Sequence, residues 1–311
     1  MKFLFLMDPL ETVKMEKDTT FILMLESYKR GHEVYYVPKD GLSLIDGRVF
    51  FNAIKVKPQS IVHEPFIEEH VAHLSQDKID AVFVRPDPPF DEGYLMNTWI
   101  LDHLPKHVAV INSAAGIRTV NEKIWSAQFT DLVPATIISA NKKDLLDFIA
   151  KHKNIIAKPA NSFGGQSVFH IQQGHTNAKV ILETLSQGYS KSIILQKYVP
   201  EAKNGDKRIL LLNGEFLGAV LRVHSTGEHR NNFYAGGKPK ATTINQRDRQ
   251  IIKTLKPYLK KLGLYFVGID ILGKHLIEVN VTSPTCLQEM NTLYNQQLEE
   301  KVIDFVEKLI K

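Results

Sequence analysis

The residues of this sequence best suited to chemistry are Asp270, Glu278 and Asn280, three oxygen-bearing side chains among apolar neighbours. They lie in two β-rich runs, 264–272 and 275–281, which a Gly-Lys turn signal separates and which predict an antiparallel strand pair. Glu278 and Asn280 are two residues apart and therefore share one face of their strand. A three-residue turn would place Asp270 opposite Glu278 on that face, whereas a two-residue turn would place the two carboxylates on opposite faces.

Two carboxylates that face each other among apolar side chains repel by about 4 kcal/mol, for a separation of about 4 Å and an effective dielectric constant of about 20. A lysine or arginine, a raised pKa or a hard cation must offset this repulsion. Carboxylate and amide oxygens suit Mg²⁺, which completes its coordination with water and phosphate oxygens. By itself the pattern favours a metal site and a hydrogen-bonded structural cluster about equally.

Two arginines also require partners. The runs Asp206–Leu212 and Glu215–Val223 predict a hairpin around an Asn-Gly turn. That hairpin places Arg208 and Arg222 on adjacent strands, in β-rich runs where an unpaired charge is costly. Both guanidinium groups therefore need anions, which are either the phosphates of a ligand or a structural counter-ion such as Asp206.

Another candidate for phosphate binding is Lys158, which ends the apolar strand predicted at 155–159. A turn at 160–167 follows, and it contains Gly164 and Gly165. Glycine lets backbone N–H groups approach phosphate oxygens closely. The segment is not a P-loop, because no GK[ST] follows and no helix begins there. An ordinary hairpin turn is the alternative interpretation.

Two loops have the composition of ligand-binding segments. Residues 85–91 contain three prolines, which predict a rigid loop beyond a strand end, where ligands of α/β sheets bind. Residues 224–239 contain three glycines and no apolar periodicity. This second segment is either a surface loop or a lid that shields the reaction from water, and its place between the arginine hairpin and Asp270 favours a lid.

The elements that must position these residues follow from hydrophobic periodicity and turn signals. The first 120 residues predict an α/β lobe that begins with a βαβ unit and includes a hairpin around Asp46 and Gly47. The predicted strands of this lobe are 2–7, 33–37, 81–84 and 108–111, the predicted helices are 18–31 and 93–104, and the hairpin covers 42–56. Later helices are predicted at 121–130, 246–262 and 293–310.

Composition limits the class of protein further. A chain of 311 residues is expected to form two or three lobes. The net charge of +5 comes without a run of five basic residues, so an anionic substrate explains it at least as well as nucleic acid does. The single cysteine, Cys286, allows no internal disulfide and has no evident base partner, which predicts a small buried residue in a cytoplasmic protein. The apolar run at 3–7 is too short for a signal sequence or a membrane span.

Several motifs occur in one order over essentially the whole chain. They are MDP at 7–9, RPDPPFD at 85–91, NEK at 121–123, KP at 158–159, GDKR at 205–208, AGG at 235–237, GIDI at 268–271 and EVNVTSPT at 278–285. Together they resemble the bacterial glutathione synthetases of the ATP-grasp superfamily. The resemblance implies an α/β and α+β ATP-grasp fold with an N-terminal α/β lobe at 1–120, a central lobe at 121–200, and a C-terminal lobe at 201–311 with the metal site and lid.

The same resemblance implies a reaction and its residues. ATP would drive the joining of γ-glutamylcysteine to glycine through an acyl phosphate, with Mg²⁺ or Mn²⁺ held by Asp270, Glu278 and Asn280. Arg208 and Arg222 would stabilise developing charge. Implied contacts to ATP are Lys123, Lys158, Gly164, Gly165, Gln196, Lys197, Tyr198, Val199 and Asp206. Implied contacts to the other substrates are Arg85, Asp87, Arg230, Ser283 and Thr285. Family members form homotetramers, and we expect one here, without nucleic-acid or membrane partners.

Two other functions stay open. The first is another ATP-grasp ligase, which would add an amino acid to a peptide or protein end. The second is a nucleotide-binding regulatory module without catalysis. Loss of catalysis predicts decay of the metal-binding residues or of the paired arginines, and the sequence retains both sets.

Overall fold

Three β-sheets with their covering helices form the computed structural model, which describes residues 1–161, 164–224 and 236–310. The first sheet contains β1 (Lys2–Leu6), β2 (Glu33–Val37), β3 (Leu42–Ile45), β4 (Arg48–Pro58), β5 (Phe66–Ser75), β6 (Ala81–Val84) and β7 (Ala109–Ile111). Its helices are α1 (Thr19–Lys29), α2 (Glu92–Leu101) and α3 (Ala114–Thr119). The strand order is β3-β4-β2-β1-β6-β7, and β5 pairs with β4. The four strands β2, β1, β6 and β7 are parallel, which suits their continuous apolar runs.

The second sheet is antiparallel and has the order β10-β9-β11-β8. It contains β8 (Thr136–Ser139), β9 (Asn154–Pro159), β10 (Phe169–Gln172) and β11 (Ile193–Lys197), with α4 (Lys142–His152) and α5 (Ala178–Leu185). Asn141 caps α4 by accepting hydrogen bonds from Lys143 N and Asp144 N. The helices bury Leu145, Ile149 and Leu182 against the sheet, where they form a separate core.

The third sheet is also antiparallel, with the order β14-β13-β12-β15-β16. Its strands are β12 (Asp206–Leu212), β13 (Glu215–Val223), β14 (Lys238–Lys240), β15 (Phe266–Leu272) and β16 (His275–Asn280). Its helices are α6 (Gln246–Lys261), α7 (Leu287–Tyr294) and α8 (Leu298–Ile310). The described part of the chain contains no helix that is both long enough and apolar enough to cross a membrane.

The first and third sheets share their hydrophobic cores. One cluster joins Leu4 and Val82 to Ile269 and Val279, and a second cluster joins residues of β1 and β6 to α7 and α8. Backbone contacts strengthen this joint, since the N–H group of Ser113 donates to Gly263 O at 3.0 Å. The strands β15 and β16, which carry the candidate metal ligands, therefore pack against the N-terminal sheet.

Both Asx-Gly hairpins are confirmed. The β3–β4 turn has positive φ at Asp46 and Gly47, and the β12–β13 turn has positive φ at Asn213 and Gly214. Positive φ at both central residues is the conformation that matches the right-handed twist of the flanking strands. The turn residues thus determine which residues face each other, including those on the arginine hairpin.

The helix predicted at 121–130 is wrong. Only Trp125–Gln128 forms a short 3-10 turn, and the rest of the segment follows the outer edge of β16. The N–H group of Val279 donates to Glu122 O at 2.9 Å, and that of Leu276 donates to Leu132 O at 2.8 Å. N–H groups of β16 thus bond to carbonyl groups of this segment, which in a helix would accept hydrogen bonds from the helix itself.

The helix predicted at 293–310 is wrong at its start. Leu293 belongs to α7, and the chain leaves that helix at Asn295, which has φ of 50°. The side chain of Asn291 then accepts a hydrogen bond from Leu298 N, where α8 begins. Two helices therefore replace the single one, because a left-handed residue interrupts the periodicity.

Packing between α3 and the chain that joins α6 to β15 generates a stability prediction. A Cβ atom built on Gly116 would lie 2.3 Å from the carbonyl oxygen of Leu262, so Gly116→Ala must displace backbone. We expect the free energy of unfolding to fall by about 1–3 kcal/mol, measured by denaturant titration.

The control is Gly93→Ala in α2, where the nearest atom to an added Cβ is a side-chain oxygen at 3.5 Å. Alanine favours the helix over glycine, so this variant should keep or slightly raise the stability. Equal destabilisation by both variants would contradict a close contact specific to Gly116.

Candidate active site

A cavity of about 250 Å³ lies between the second and third sheets. Its walls come from β9 and β11 on one side, from β12, β13, β15 and β16 on the other, and from loops at 87–88, 122–123 and 282–286. Of the residues that the resemblance implies for the site, all that the structure describes line this cavity except Arg85. Arg230 and most of the lid predicted at 224–239 lie outside the described residues.

The candidate metal ligands share one face of the β15–β16 pair. Asp270 lies directly opposite Glu278, and Gly268 lies opposite Asn280. The turn itself has only two residues, because Leu272 pairs with His275. A bulge adds one residue to β16 and restores the register, so the carboxylates meet although the three-residue turn is absent.

A buried array of two arginines and two aspartates crosses β13, β12 and β15. Asp206 pairs in register with Arg222, and Arg208 pairs in register with Asp270. The Arg222 Nε donates to Asp206 Oδ1 at 2.8 Å, and Arg208 binds Asp270 through both Nε and Nη2. Arg222 Nη2 also lies 2.9 Å from Asp270 Oδ2 and thereby connects the two pairs. We call these four residues the charge array.

Electrostatics keep Asp270 ionised. Burial by itself raises the pKa of Asp270, but the charges of Arg208 and Arg222 outweigh it and hold this pKa well below its usual range. Burial likewise opposes the charge on Arg222, yet the carboxylates of Asp206 and Asp270 raise its pKa. At Asp206 burial outweighs the charge of Arg222, so the pKa of that carboxyl is raised.

Glu278 faces two lysines that come from different parts of the chain. Its Oε1 lies 3.7 Å from Lys123 Nζ and 3.9 Å from Lys158 Nζ. Burial lowers the pKa of Lys158, and the charge of Lys123 lowers it further, while Glu278 raises it in part. Two buried ammonium groups beside one carboxylate form a cationic region that suits phosphate oxygens.

The donor set at the end of this pair of strands suits a hard divalent cation. Asp270 and Glu278 supply carboxylates. The Nδ2 group of Asn280 donates a hydrogen bond to Gly268 O at 3.2 Å, and the amide oxygen of Asn280 is the atom that could bind a cation. Oxygen donors of this kind fit Mg²⁺, which commonly takes few protein ligands and completes its shell with water and phosphate. No group of three His, Cys, Asp or Glu side chains with metal-binding geometry occurs in 1–161, 164–224 or 236–310.

The lining of the cavity combines two kinds of chemistry. Apolar side chains come from Ile156, Val168, Val199, Leu272 and Ile277, with Tyr198 among them, and we call this group the apolar slot. Polar side chains come from Asp87, Glu122, Ser283 and Thr285. The same cavity can therefore receive a flat apolar group and a hydrogen-bonding substrate together with the charge array.

Arg85 is separated from the cavity, although the loop that it begins reaches it through Asp87 and Pro88. The guanidinium of Arg85 is buried, with Nε donating to Thr20 Oγ1 at 3.0 Å and Nη2 donating to Pro284 O at 3.0 Å. Its position supports the loop at 282–286 from behind, and the structure does not bring it to the substrate end.

Comparisons with known proteins decide the family. The model of the prokaryotic glutathione synthetase N-terminal domain matches residues 1–118, and that of the prokaryotic glutathione synthetase ATP-grasp domain matches residues 122–295. The chain belongs to this family. The family inferred from the motifs and the ATP-grasp fold with its N-terminal α/β lobe are therefore confirmed, and the chain is an ATP-dependent carboxylate–amine ligase of that type.

Relatives of the family match along nearly the full length. The glutathione synthetase of Vibrio parahaemolyticus is 35% identical over 98% of this chain and 97% of its own length. That of Synechocystis is 38% identical over 99% of both chains. The crystal structure of the D-cycloserine synthetase DcsG has a TM-score of 0.69 at 12% identity, covering 98% of this chain and 99% of its own, which shows a shared fold.

Glu122 is a lining residue that sequence reasoning did not assign a role. Its Oε1 accepts hydrogen bonds from Val281 N at 2.8 Å, Thr282 N at 3.1 Å and Thr282 Oγ1 at 2.9 Å. The only local signal was its place in the NEK motif beside Lys123. Its partners are about 160 residues away in sequence, so no periodicity or turn rule connects them.

The charge array predicts that stability and activity depend on Arg208 in separable ways. Arg208→Met leaves the buried Asp270 carboxylate with only Arg222. We expect the free energy of unfolding to fall by about 3 kcal/mol, the lower end for breaking a buried ion pair, because one partner remains. The double variant Arg208→Met/Asp270→Asn should regain most of that stability while ligase activity stays lost, as measured by denaturant titration and ADP release.

Arg48→Met is the matched control, because Arg48 forms an exposed ion pair with Asp77. That variant should change stability by less than about 1 kcal/mol. Recovery of activity in the double variant would contradict a direct role of Arg208 in the reaction.

Cys286 predicts slow thiol labelling in the folded protein. The side chain is 1% exposed, and burial raises the pKa of the thiol from 9.0 to about 11. At pH 8 the thiolate fraction is then about a hundredfold lower than for an unperturbed thiol, and only the thiolate reacts. Iodoacetamide should therefore label the native chain at least about a hundredfold more slowly than the chain unfolded in guanidinium chloride. Fast stoichiometric labelling of the native protein at pH 8 would contradict a buried, protonated thiol.

Proposed function

We propose that this chain is a glutathione synthetase that joins γ-glutamylcysteine to glycine at the charge array, with ATP as the co-substrate. The observation that carries the proposal is the position of the array. It lines the same cavity as the apolar slot and as the hydroxyl groups of Ser283 and Thr285. The full-length similarity to glutathione synthetases selects this reaction among those that the fold supports.

In this proposal the adenine base occupies the apolar slot. Gln196 and Lys197 approach it from the end of β11, Tyr198 and Val199 from the chain that follows, and Asp206 is assigned to the ribose at the start of β12. The phosphates then extend toward Lys123 and Lys158, with Gly164 and Gly165 allowing backbone contact.

A divalent cation is required by the charge balance of the cavity. Five acidic and five basic side chains line it, so the protein alone does not neutralise a bound triphosphate. Asp270, Glu278 and Asn280 would hold Mg²⁺ or Mn²⁺ there, and the cation would neutralise the charge of the bridging phosphate oxygens. These three side chains present oxygen atoms only, as such cations prefer.

The reaction then needs positioning and charge stabilisation rather than a protein nucleophile. A substrate carboxylate oxygen attacks the γ-phosphorus of ATP, the bond to ADP breaks, and an acyl phosphate forms. The amine of glycine attacks the acyl carbon, loses a proton, and phosphate leaves. Arg208 and Arg222 face the negative charge that develops in both steps, from positions that the array has already fixed.

The acceptor end of the site is assigned to Asp87, Ser283 and Thr285, which also line the cavity. Arg230 is proposed for the same end, as part of a lid at 224–239 that excludes water from the acyl phosphate. The three lobes are proposed at 1–120, 121–200 and 201–311. A homotetramer, a cytoplasmic location and the absence of nucleic-acid partners complete the proposal by family resemblance and charge distribution.

A coupled assay of ADP release tests the reaction. ADP release should require ATP, a divalent cation and γ-glutamylcysteine, and it should continue over many turnovers only when glycine is present. Lys158→Met should lower the turnover by about a hundredfold, since it removes one preorganised cation at the phosphates. The control Lys151→Met changes an exposed lysine on α4 and should leave turnover unchanged.

Other outcomes would select the alternative functions. Equal turnover with an unrelated dipeptide would identify another ATP-grasp ligase. Tight ATP binding without ADP release under any substrate combination would identify a regulatory module.

A further inference from the structure

The chain immediately after β16 is held by side chains rather than by a neighbouring strand. Val281 and Thr282 follow Asn280, the last residue of β16, and precede Ser283 and the loop that lines the cavity. The N–H group of Val281 donates to Glu122, and its carbonyl accepts from Asn112 Nδ2 at 2.8 Å. Both backbone hydrogen-bonding groups of Val281 thus depend on residues that precede β8.

Glu122 contributes the larger part of this support. A single oxygen, Oε1, accepts all three hydrogen bonds from Val281 and Thr282, so it fixes the direction in which the chain leaves β16. The backbone carbonyl of Glu122 also accepts from Val279 N at 2.9 Å, which ties its own position to β16. Burial and the charge of Glu278 raise the pKa of Glu122, while the three donors lower it.

Asn112 holds the same segment from the opposite side. Its Nδ2 donates to Phe266 O at 2.7 Å as well as to Val281 O, and its Oδ1 accepts from Phe266 N at 2.7 Å. The buried amide therefore bonds to the start of β15 and to the residue after β16, as a strand residue would.

We propose that Glu122 is a positioning residue of the ligase, which sets the location of Asn280 and of Ser283 by clamping the two residues between them. The proposal rests on the proposed function, because Asn280 is assigned there to the cation and Ser283 to the acceptor substrate. Glu122 acts through hydrogen bonds to the backbone and to Thr282. The alternative is a direct role, in which the Glu122 charge contacts a substrate, since this side chain also lines the cavity.

Three variants separate these roles. Glu122→Gln keeps an oxygen acceptor and removes the charge, whereas Glu122→Ala removes the acceptor. Thr282→Val keeps the side-chain shape and removes one of the three donors. The control Glu183→Ala changes an exposed glutamate on α5, far from these contacts in the sequence.

The main readout is binding of Mn²⁺ in the presence of ADP, followed by the electron paramagnetic resonance signal of free Mn²⁺. Turnover and thermal unfolding are measured on the same preparations. Glu122→Ala should weaken Mn²⁺ binding and lower kcat by about tenfold to a hundredfold each, the range typical of lost support for a metal ligand. Glu122→Gln should stay within about threefold of the wild type, because its carbonyl oxygen keeps the acceptor lone pairs. Thr282→Val should lie between the two.

Each contrary result overturns the proposal. Wild-type Mn²⁺ affinity in folded Glu122→Ala would show that Asn280 does not depend on the clamp. A folded Glu122→Gln as defective as Glu122→Ala would assign the effect to the charge and hence to direct contact. If Glu122→Ala does not fold, wild-type binding in Thr282→Val decides against the clamp. Failure of the wild type itself to bind Mn²⁺ with ADP would instead overturn the proposed function.

Discussion

The charge array in the third sheet is the constraint on which the site depends. Two arginines and two aspartates pair in register across three strands, and the buried Asp270 carboxylate stays ionised because both arginines face it. The array therefore fixes the alignment of β12, β13 and β15 together with the charges. Because Asp270 belongs to it, the same contacts place a candidate metal-binding carboxylate at the wall of the cavity.

The array also explains why the residues of the cavity come from so many parts of the chain. Glu278 lies opposite Asp270, and two like charges facing each other across a strand pair are destabilising unless cations offset them. Lys123, from the segment before β8, and Lys158, from β9, provide positive charge beside Glu278. Glu278 of the third sheet therefore pairs with a lysine of the second sheet. The space left between the two sheets is the cavity, and its lining is already arranged for an anion with accompanying cations.

Local rules predicted the parts of this arrangement that local chemistry determines. The Asn213–Gly214 hairpin set the neighbours of the array, and the alternation of side chains placed Glu278 and Asn280 on one face. Asp270 and Glu278 lie opposite each other because of a bulge in β16, which no sequence signal predicted, and not because of a longer turn. Pairs distant in sequence escaped prediction, as the contact of Glu122 with Val281 shows, and so did the inward direction of Arg85.

The structure changes what the presence of Arg208 and Arg222 indicates about catalysis. The sequence alone suggested that decay of the paired arginines would mark a chain without catalysis, yet the arginines also keep the buried Asp270 ionised and pair with Asp206. A chain that binds nucleotide without using it would also keep them, because losing one partner of a buried pair costs about 3–5 kcal/mol. Lys123 and Asn280 have structural contacts as well, since Lys123 Nζ lies 3.7 Å from Glu278 Oε1 and Asn280 donates to Gly268 O. Retention of these residues therefore follows from the fold of the cavity as much as from catalysis, and turnover is the property that separates a ligase from a nucleotide-binding module.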